Sequence, residues 1–271
     1  MYKSYFDDET GKKLENINDI IFEVRIRLGR KIVVSTQKGE IVLDILVDSS
    51  YINNLFKRIV SNSMYALKNE IEKGYITIED GSRVGICGRC VTENKEIINI
   101  TDINSINFRI ANDFSVCSNR LLDKINGNTL IIGPPGCGKT TLLRDVARKL
   151  SKYKNVSVVD ERGEIFPMYN QQSVFNIDGK CDVMTGCEKS KGVELVIRTM
   201  NPEVVVFDEI QPEKELMCVK NAVNSGVNII TTVHGRDICD IKEKISDVYS
   251  VFDTAVIMTP EKEVKEVICL N

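Results

Sequence analysis

Hydrophobic and polar positions follow one period in the first part of the chain and another in the second. Over residues 20–28 apolar side chains alternate with charged ones, which predicts a half-buried β-strand. Residues 31–35 and 40–43 flank a polar turn and predict a hairpin. From 51 to 71 the apolar residues recur at helical spacing, so we expect an amphipathic helix there. Its apolar positions are Ile52, Leu55, Phe56, Ile59, Val60, Met64 and Leu67.

The second part of the chain carries short, continuous apolar runs instead of alternation. They cover residues 128–132, 155–159, 204–207 and 227–233. Runs of this kind are typical of strands buried on both faces of a parallel sheet. Residues 141–150 show helical spacing directly after the first run, and 117–125 predict a further helix before it. The second part therefore predicts an α/β sheet.

Residues 133–140 match the pattern G-x-x-x-x-G-K-[ST] at every position, between a predicted strand and a predicted helix. In such a loop the backbone N–H groups curl around phosphates at the start of a helix. Lys139 would reach the β- and γ-phosphates, and the Thr140 hydroxyl would bind Mg²⁺. We therefore expect a site for a nucleoside triphosphate and Mg²⁺. Its predicted nucleotide-binding residues are Gly133, Pro134, Pro135, Gly136, Cys137, Gly138, Lys139, Thr140 and Thr141.

Acidic residues follow two of the buried runs. Asp208 and Glu209 close the run at 204–207, which makes Asp208 the expected Mg²⁺ ligand and Glu209 the expected general base. Asp160 and Glu161 close the run at 155–159 and would orient water or magnesium, or else serve as a helix cap and a surface charge. His234, the single histidine, ends the run at 227–233, where together with Thr232 it would sense the γ-phosphate.

These motifs predict an α/β fold with a RecA-like, mostly parallel sheet as its phosphate-loop core. We place this ATPase domain at residues 113–271, after a smaller N-terminal α+β domain at 1–112. The chain lacks N-K-x-D after the loop, so adenine is favoured over guanine, and it lacks the transporter signature L-S-G-G-Q. Cys87 and Cys90 form a lone C-x-x-C pair, which we interpret as small core residues rather than a zinc site.

Composition limits the binding partners and the cellular compartment that we expect for this chain. A net charge of −3 gives no basic surface typical of nucleic-acid binding, although a local patch would be hidden in that sum. Nine cysteines without framework spacing favour a reducing compartment. No apolar run approaches the ~18 residues of a membrane helix, and the first residues lack a signal-peptide core. We expect a cytoplasmic protein that does not insert into membranes directly.

The order of the motifs resembles the secretion ATPases of bacterial type II and type IV machines. It resembles more closely the stage III sporulation protein AA family of endospore-forming bacteria, in residues 22–30, 83–89 and 108–111 as well as in the core. The resemblance implies a hexameric ATPase that works with integral membrane proteins of a channel, peripheral to the mother-cell membrane around the forespore. One departure is Asp208-Glu209, where secretion ATPases commonly have Gly-Glu.

The resemblance also implies that an arginine completes the nucleotide site. An arginine supplied to the γ-phosphate raises turnover by ~10³ or more. The candidates from the first domain are Arg25, Arg27, Arg83, Arg89 and Arg109, and those from the core are Arg162 and Arg198. Two other functions stay open, a nucleotide-gated scaffold with little turnover and an ATPase that moves along nucleic acid. The net acidity argues against the second.

Overall fold

A computed structural model describes residues 2–60, 70–71, 74–93, 96–117, 119–177, 179–245 and 248–270. The chain forms two compact units. The first comprises Met1–Asn112 and Tyr169–Val174, and the second comprises Asp113–Met168 and Phe175–Asn271. Met64 and Leu67, which we assigned to the helix stripe, lie outside the described residues.

The first unit is built on a six-stranded sheet in the order β3-β2-β1-β6-β5-β4, in which neighbouring strands run antiparallel. The predicted strand, hairpin and helix form β1, β2–β3 and α2. In chain order its elements are a 3₁₀ turn Tyr2–Tyr5, α1 (Asp8–Glu15), β1 (Ile21–Arg27), β2 (Lys31–Thr36), β3 (Gly39–Leu46), α2 (Ser49–Val60), β4 (Tyr75–Thr77), β5 (Arg83–Glu93) and β6 (Glu96–Arg109).

Alternation along these strands separates a core face from an arginine face. Val24, Ile26 and Phe108 are fully buried and form part of one hydrophobic core. Arg25 and Arg109 project from the other face, because successive strand residues point to opposite sides. Of the five candidate arginines from this unit, Arg25, Arg27, Arg83 and Arg109 occupy such positions, whereas Arg89 is exposed and paired with Asp102 at 3.0 Å.

The cysteine pair does not belong to the core. Cys87 and Cys90 are both exposed, so our interpretation of them as small core residues is wrong. From Cys87 to its end, β5 buries no side chain, since this half of the β5–β6 hairpin extends beyond the hydrophobic core. Among the residues that the structure describes, no cluster of three or more His, Cys, Asp or Glu side chains is arranged to hold a metal ion by itself.

The second unit is built on a seven-stranded sheet in the order β11-β8-β12-β13-β7-β14-β15. All pairs are parallel except β14–β15. Its elements are α3 (Asn119–Leu122), β7 (Thr129–Gly133), α4 (Lys139–Leu150), β8 (Val156–Asp160), β11 (Cys181–Thr185), α5 (Lys189–Met200), β12 (Val204–Phe207), α6 (Pro212–Asn224), β13 (Asn228–His234), α7 (Ile238–Lys244), α8 (Val248–Val251), β14 (Thr254–Met258) and β15 (Val264–Cys269). A two-stranded ribbon of β9 (Met168–Tyr169) and β10 (Gln172–Ser173) begins at the last residue of the Asp113–Met168 stretch and otherwise belongs to the first unit.

The continuous apolar runs are buried along their whole length in β7, β8 and β12, as expected for strands with helices on both faces. The helix expected over 117–125 is reduced to the short α3. Asp145 of α4 accepts the backbone N–H groups of Val116 and Cys117, so these residues are held in a loop. Of the helices formed by the described residues, none has the length and apolar character that a membrane span requires.

Candidate active site

The phosphate loop connects the carboxyl end of β7 to α4. Gly136 and Gly138 have φ angles of 75° and 89°, which glycine adopts without the strain of a side chain. A Cβ at Gly133 would lie 2.5 Å from the Cys137 sulfur, so the loop requires a bare backbone there as well. No side-chain hydrogen bond caps α4 at Gly138. Its first N–H groups are thus available to an anion.

Lys139 is buried and bound to the loop that precedes it. Its Nζ donates to the carbonyl oxygens of Gly133 at 3.0 Å and Pro134 at 2.9 Å, and it lies 2.9 Å from Nδ1 of His234. Burial lowers the pKa of the Lys139 ammonium. Because these three acceptors are neutral, the ammonium charge fits a phosphate better than its present partners.

His234 connects the lysine to the acid. An ammonium only donates hydrogen bonds, so Nδ1 of His234 accepts from Lys139 and Nε2 carries the ring hydrogen. That Nε2 lies 3.2 Å from Oε1 of Glu209. The structure therefore brings three predicted site residues, Lys139, His234 and Glu209, into one series of polar contacts at the carboxyl edge of the sheet.

Glu209 is held in an unusual backbone conformation. Its φ is 41°, in the left-handed region that costs a non-glycine residue roughly 1–2 kcal/mol. Its N–H donates to Oγ1 of Thr232 at 2.8 Å, and its carbonyl accepts from Nζ of Lys189 at 2.8 Å. Thr232 is 1% exposed, and by accepting this N–H its hydroxyl helps to fix Glu209, while its expected role as a γ-phosphate sensor stays a prediction.

Asp208 lies at the end of β12 in a buried position beside a second buried lysine. Burial raises the pKa of Asp208 to about 6, against the effect of Lys189, whose Nζ lies 4.0 Å from Oδ1. Sequence reasoning missed Lys189. Glu188 to Lys191 has the composition of a solvated helix start, but Lys189 shares a helix face with Val193 and Val196, both of which are buried. That spacing is the signal that would have found it.

The acids after β8 have different surroundings from one another. Asp160 is fully buried, and its carboxylate accepts the N–H groups of Glu164, Ile165 and Phe166 at 2.8 to 2.9 Å. These bonds fix the turn that follows β8, which is the capping role that we gave as the alternative for this acid. Glu161 and Arg162 are exposed in this same turn, at the carboxyl edge of the sheet.

Arg144, which sequence reasoning missed, supports this turn from α4. Its guanidinium donates to the carbonyl oxygens of Glu164 and Ile165 and lies 4.4 Å from the ring centroid of Phe175. The position of Arg144 on the predicted helix after the phosphate loop gave no sign of these contacts, because their partners lie 20 or more residues downstream.

Arg198 lies away from the other predicted residues. It occupies the last turn of α5 and is exposed. Since α5 runs from the carboxyl end of β11 to the amino end of β12, its last turn lies at the amino edge of the sheet, opposite the phosphate loop. Arg198 therefore does not reach the phosphate site of its own chain.

Thr140 and Asp208 are the residues that would hold Mg²⁺. Mg²⁺ in nucleotide sites takes few protein ligands together with phosphate oxygens and water, so one hydroxyl and one carboxylate suffice. Asp208 is buried at the strand end with Lys189 as its nearby cation, and a divalent ion would stabilise its ionised form. The donor set therefore fits the ion.

Comparison with known proteins agrees with this architecture. A family model for sporulation stage III, protein AA matches residues 10–270 of the chain. The chain belongs to this family. Stage III sporulation protein AA of Bacillus subtilis (strain 168) is 36% identical over 236 residues, which covers 83% of this chain and 77% of that protein.

Two solved structures show how widely the fold is shared. The ATPase DotB of Yersinia pseudotuberculosis superposes with a TM-score of 0.65 at 14% identity, over 93% of this chain and 75% of that one. The pilus retraction motor PilT, solved with bound ADP, gives 0.62 at 12% identity over 91% and 76%. The predicted fold class, a RecA-like mostly parallel core with a smaller α+β part, is confirmed by these likenesses.

Proposed function

We propose that this chain is an Mg²⁺-dependent ATP hydrolase of the secretion-motor type, which energises a channel between mother cell and forespore during sporulation. The observation that carries the proposal is the series Lys139–His234–Glu209, which connects the phosphate loop to the acid that follows β12. A loop that only stabilised the fold would not need a buried lysine and an acid aligned on one histidine.

The phosphates of ATP lie along the loop from Gly133 to Thr141. Lys139 exchanges the carbonyl oxygens of Gly133 and Pro134 for phosphate oxygens, which carry full charge and accept stronger hydrogen bonds. Mg²⁺ held by Thr140 and Asp208 would neutralise charge on the β- and γ-phosphates. The exposed turn with Glu161 and Arg162 borders the same edge and supplies further charge.

Glu209 is the general base. Its carboxylate takes a proton from the attacking water, the water oxygen bonds to the γ-phosphorus, and the bond to the β-phosphate oxygen breaks with its electron pair leaving on ADP. Nε2 of His234 lies 3.2 Å from Oε1 of Glu209, so the imidazole would hold the carboxylate in place. Lys189 and Thr232 fix the backbone of Glu209 from both sides, so the carboxylate is oriented before substrate arrives.

The setting of the reaction follows from the family. A hexameric ring associated with integral membrane channel proteins, in the mother-cell cytoplasm at the membrane around the forespore, is the assembly that we propose for it. Nucleic acid is not proposed as a partner, since the chain has a net charge of −3. That one of the candidate arginines completes the site stays a prediction. Arg198 does not do so within its own chain, because it lies at the opposite edge of the sheet.

Phosphate release from Mg-ATP tests the proposal. Glu209→Gln keeps the shape of the side chain and removes its basicity, so it should bind ATP like the wild type and lose at least ~100-fold in turnover. Glu213→Gln, an exposed change in the first turn of α6, is the matched control and should keep wild-type turnover. Equal turnover in both variants would refute the assignment. Binding without phosphate release in the wild type, with partners present, would indicate the nucleotide-gated scaffold.

A further inference from the structure

Glu215 is a buried acid to which the proposed reaction gives no role. It lies in the first part of α6 and is 4% exposed, whereas Glu213 and Lys214 just before it are exposed. A glutamate is seldom buried unless hydrogen bonds or opposite charges compensate for the water that its carboxylate loses. The burial of Glu215 therefore requires partners within the second unit.

The first partner is the backbone at the start of the same helix. Oε2 of Glu215 accepts the N–H of Gln211, and the Gln211 carbonyl accepts the N–H of Glu215 at 2.9 Å. Gln211 is the N-cap residue, and its own side chain makes no capping hydrogen bond. The Glu215 carboxylate thus reaches back over the first turn and holds the residue at which the chain enters α6.

The second partner is the charge of Lys189. Burial raises the pKa of the Glu215 carboxyl, while the hydrogen bond from Gln211 and the nearby Lys189 charge act in the opposite direction. Nζ of Lys189 also donates to the Glu209 carbonyl at 2.8 Å and lies 4.0 Å from Oδ1 of Asp208. If Asp208 binds Mg²⁺, Glu215 still supplies a negative charge that favours an ionised lysine at this buried position.

The connection from β12 to α6 is held at each of its three backbone N–H groups. The N–H of Glu209 donates to Oγ1 of Thr232, and the N–H of Ile210 donates to the Thr232 carbonyl, both at 2.8 Å. The third N–H is that of Gln211, which donates to Glu215. Glu209 has a φ of 41°, and such a conformation persists only where the surrounding contacts impose it. Loss of the third contact would release the chain two residues after the expected general base.

We propose that Glu215 is a positioning residue for Glu209, the general base of the proposed ATP hydrolysis. Its carboxylate anchors Gln211 and favours the charged form of Lys189, which donates to the Glu209 carbonyl. The inference rests on the proposed function, because it assigns a role in that reaction. A glutamate that only capped α6 would stabilise the helix and leave the rate of hydrolysis unchanged.

Phosphate release over a range of ATP concentrations tests this role in the full chain. Glu215→Met removes the acceptor and the charge but keeps a side chain of similar length. Its kcat should decrease at least ~10-fold while KM changes by no more than ~2-fold, because Glu209 acts on water and not on the bound phosphates. Glu213→Met is the matched control on an exposed part of the same turn, and it should keep the wild-type kcat.

The glutamine variant separates positioning from loss of the fold. Glu215→Gln keeps an oxygen that accepts the Gln211 N–H, so its kcat should exceed that of Glu215→Met. A glutamine variant as slow as the methionine variant would overturn the role of this hydrogen bond. Wild-type kcat in Glu215→Met would overturn the whole inference and leave Glu215 as a helix cap.

Amide hydrogen exchange in the nucleotide-free chain gives a reading that does not depend on hydrolysis. In the wild type the amides of Glu209 and Gln211 should both be protected, and free exchange at Gln211 would overturn the contact. In Glu215→Met both should exchange at least ~10-fold faster, while the amides within β13 stay protected. Faster exchange at Gln211 alone would again indicate a helix cap. If both amides respond but the wild type does not hydrolyse ATP, the proposed function fails and the control of Glu209 by Glu215 stands.

Discussion

Replacing Thr232 by valine tests how the catalytic glutamate is held. Thr232 is buried at the middle of the site, and its hydroxyl oxygen accepts the N–H of Glu209 at 2.8 Å. Valine has nearly the same shape and no acceptor, so the change removes one hydrogen bond and little packing. The Ile210 N–H, which donates to the Thr232 carbonyl at 2.8 Å, is unaffected because this bond uses the backbone.

The size of the effect follows from what the hydroxyl compensates. A buried N–H left without an acceptor costs about 1–3 kcal/mol, and the exposed position of the Glu209 side chain places this case toward the lower end. The left-handed conformation of Glu209 costs roughly 1–2 kcal/mol more, which the hydroxyl now helps to offset. We expect Thr232→Val to lower the free energy of unfolding by about 1–2 kcal/mol.

Turnover should decrease more than ATP binding in this variant, because Glu209 acts on the attacking water and not on the bound phosphates. Each increase of about 1.4 kcal/mol in the activation free energy lowers the rate tenfold. If the lost hydrogen bond raises the barrier by about that much, turnover decreases by ~10-fold or more. Urea unfolding, calorimetric binding of ATP and phosphate release measure the three quantities. Thr232→Ser keeps the hydroxyl and should restore turnover. Wild-type turnover in Thr232→Val, or equal losses in the valine and serine variants, would refute the reasoning.

Three further changes test other parts of the site. Lys189→Met removes the donor to the Glu209 carbonyl and the cation beside Asp208, so turnover should decrease at least ~10-fold, while Lys191→Met, on an exposed part of the same helix, should leave it unchanged; equal turnover in the two variants would contradict the role of Lys189. Burial raises the pKa of Asp208 from 3.8 to about 6, so the folded chain binds this proton more tightly and wild-type stability should decrease relative to Asp208→Asn as the pH rises through that interval. Urea unfolding without Mg²⁺ should show this difference change by about 2 kcal/mol between about pH 4 and pH 7, and a difference that is independent of pH would contradict the shift. Gly133→Ala places a Cβ 2.5 Å from the Cys137 sulfur and should lower the melting temperature, and adding Cys137→Ala should restore most of it; no recovery in the double variant would exclude this contact as the cause.

Local patterns were sufficient to predict the features that arise from neighbours in sequence. The phosphate loop, the buried strands and the acids after β12 each have a pattern within a short stretch of the chain. Their meeting at one edge was predictable because a parallel α/β sheet places its strand ends there. The strand with Arg25 was predicted by its period of two, since one face of the first sheet packs on a core.

Features that depend on distant partners were not predictable in this way. Lys189 and Thr232 fix Glu209 although they lie 20 and 23 residues away in the chain, and no local pattern predicts these two contacts. Asp160 was expected either to orient water or magnesium or to serve as a cap, and no local pattern showed that three backbone N–H groups of the following turn would donate to its carboxylate. Cys87 was assigned to the core because small cysteines are usually buried, but it lies where the β5–β6 hairpin extends past the apolar layer.

Calorimetric titration of Mg-ATP into the full chain and its Lys139→Ala variant tests the central claim most directly, namely that the loop holds a triphosphate beside the acids. Lys152→Ala, an exposed change just after α4, is the control. The ammonium makes charge-assisted hydrogen bonds worth about 1.5–3 kcal/mol each, so Lys139→Ala should weaken binding by roughly 10- to 100-fold or more while Lys152→Ala leaves it unchanged. Equal affinity of all three proteins for Mg-ATP would contradict the claim.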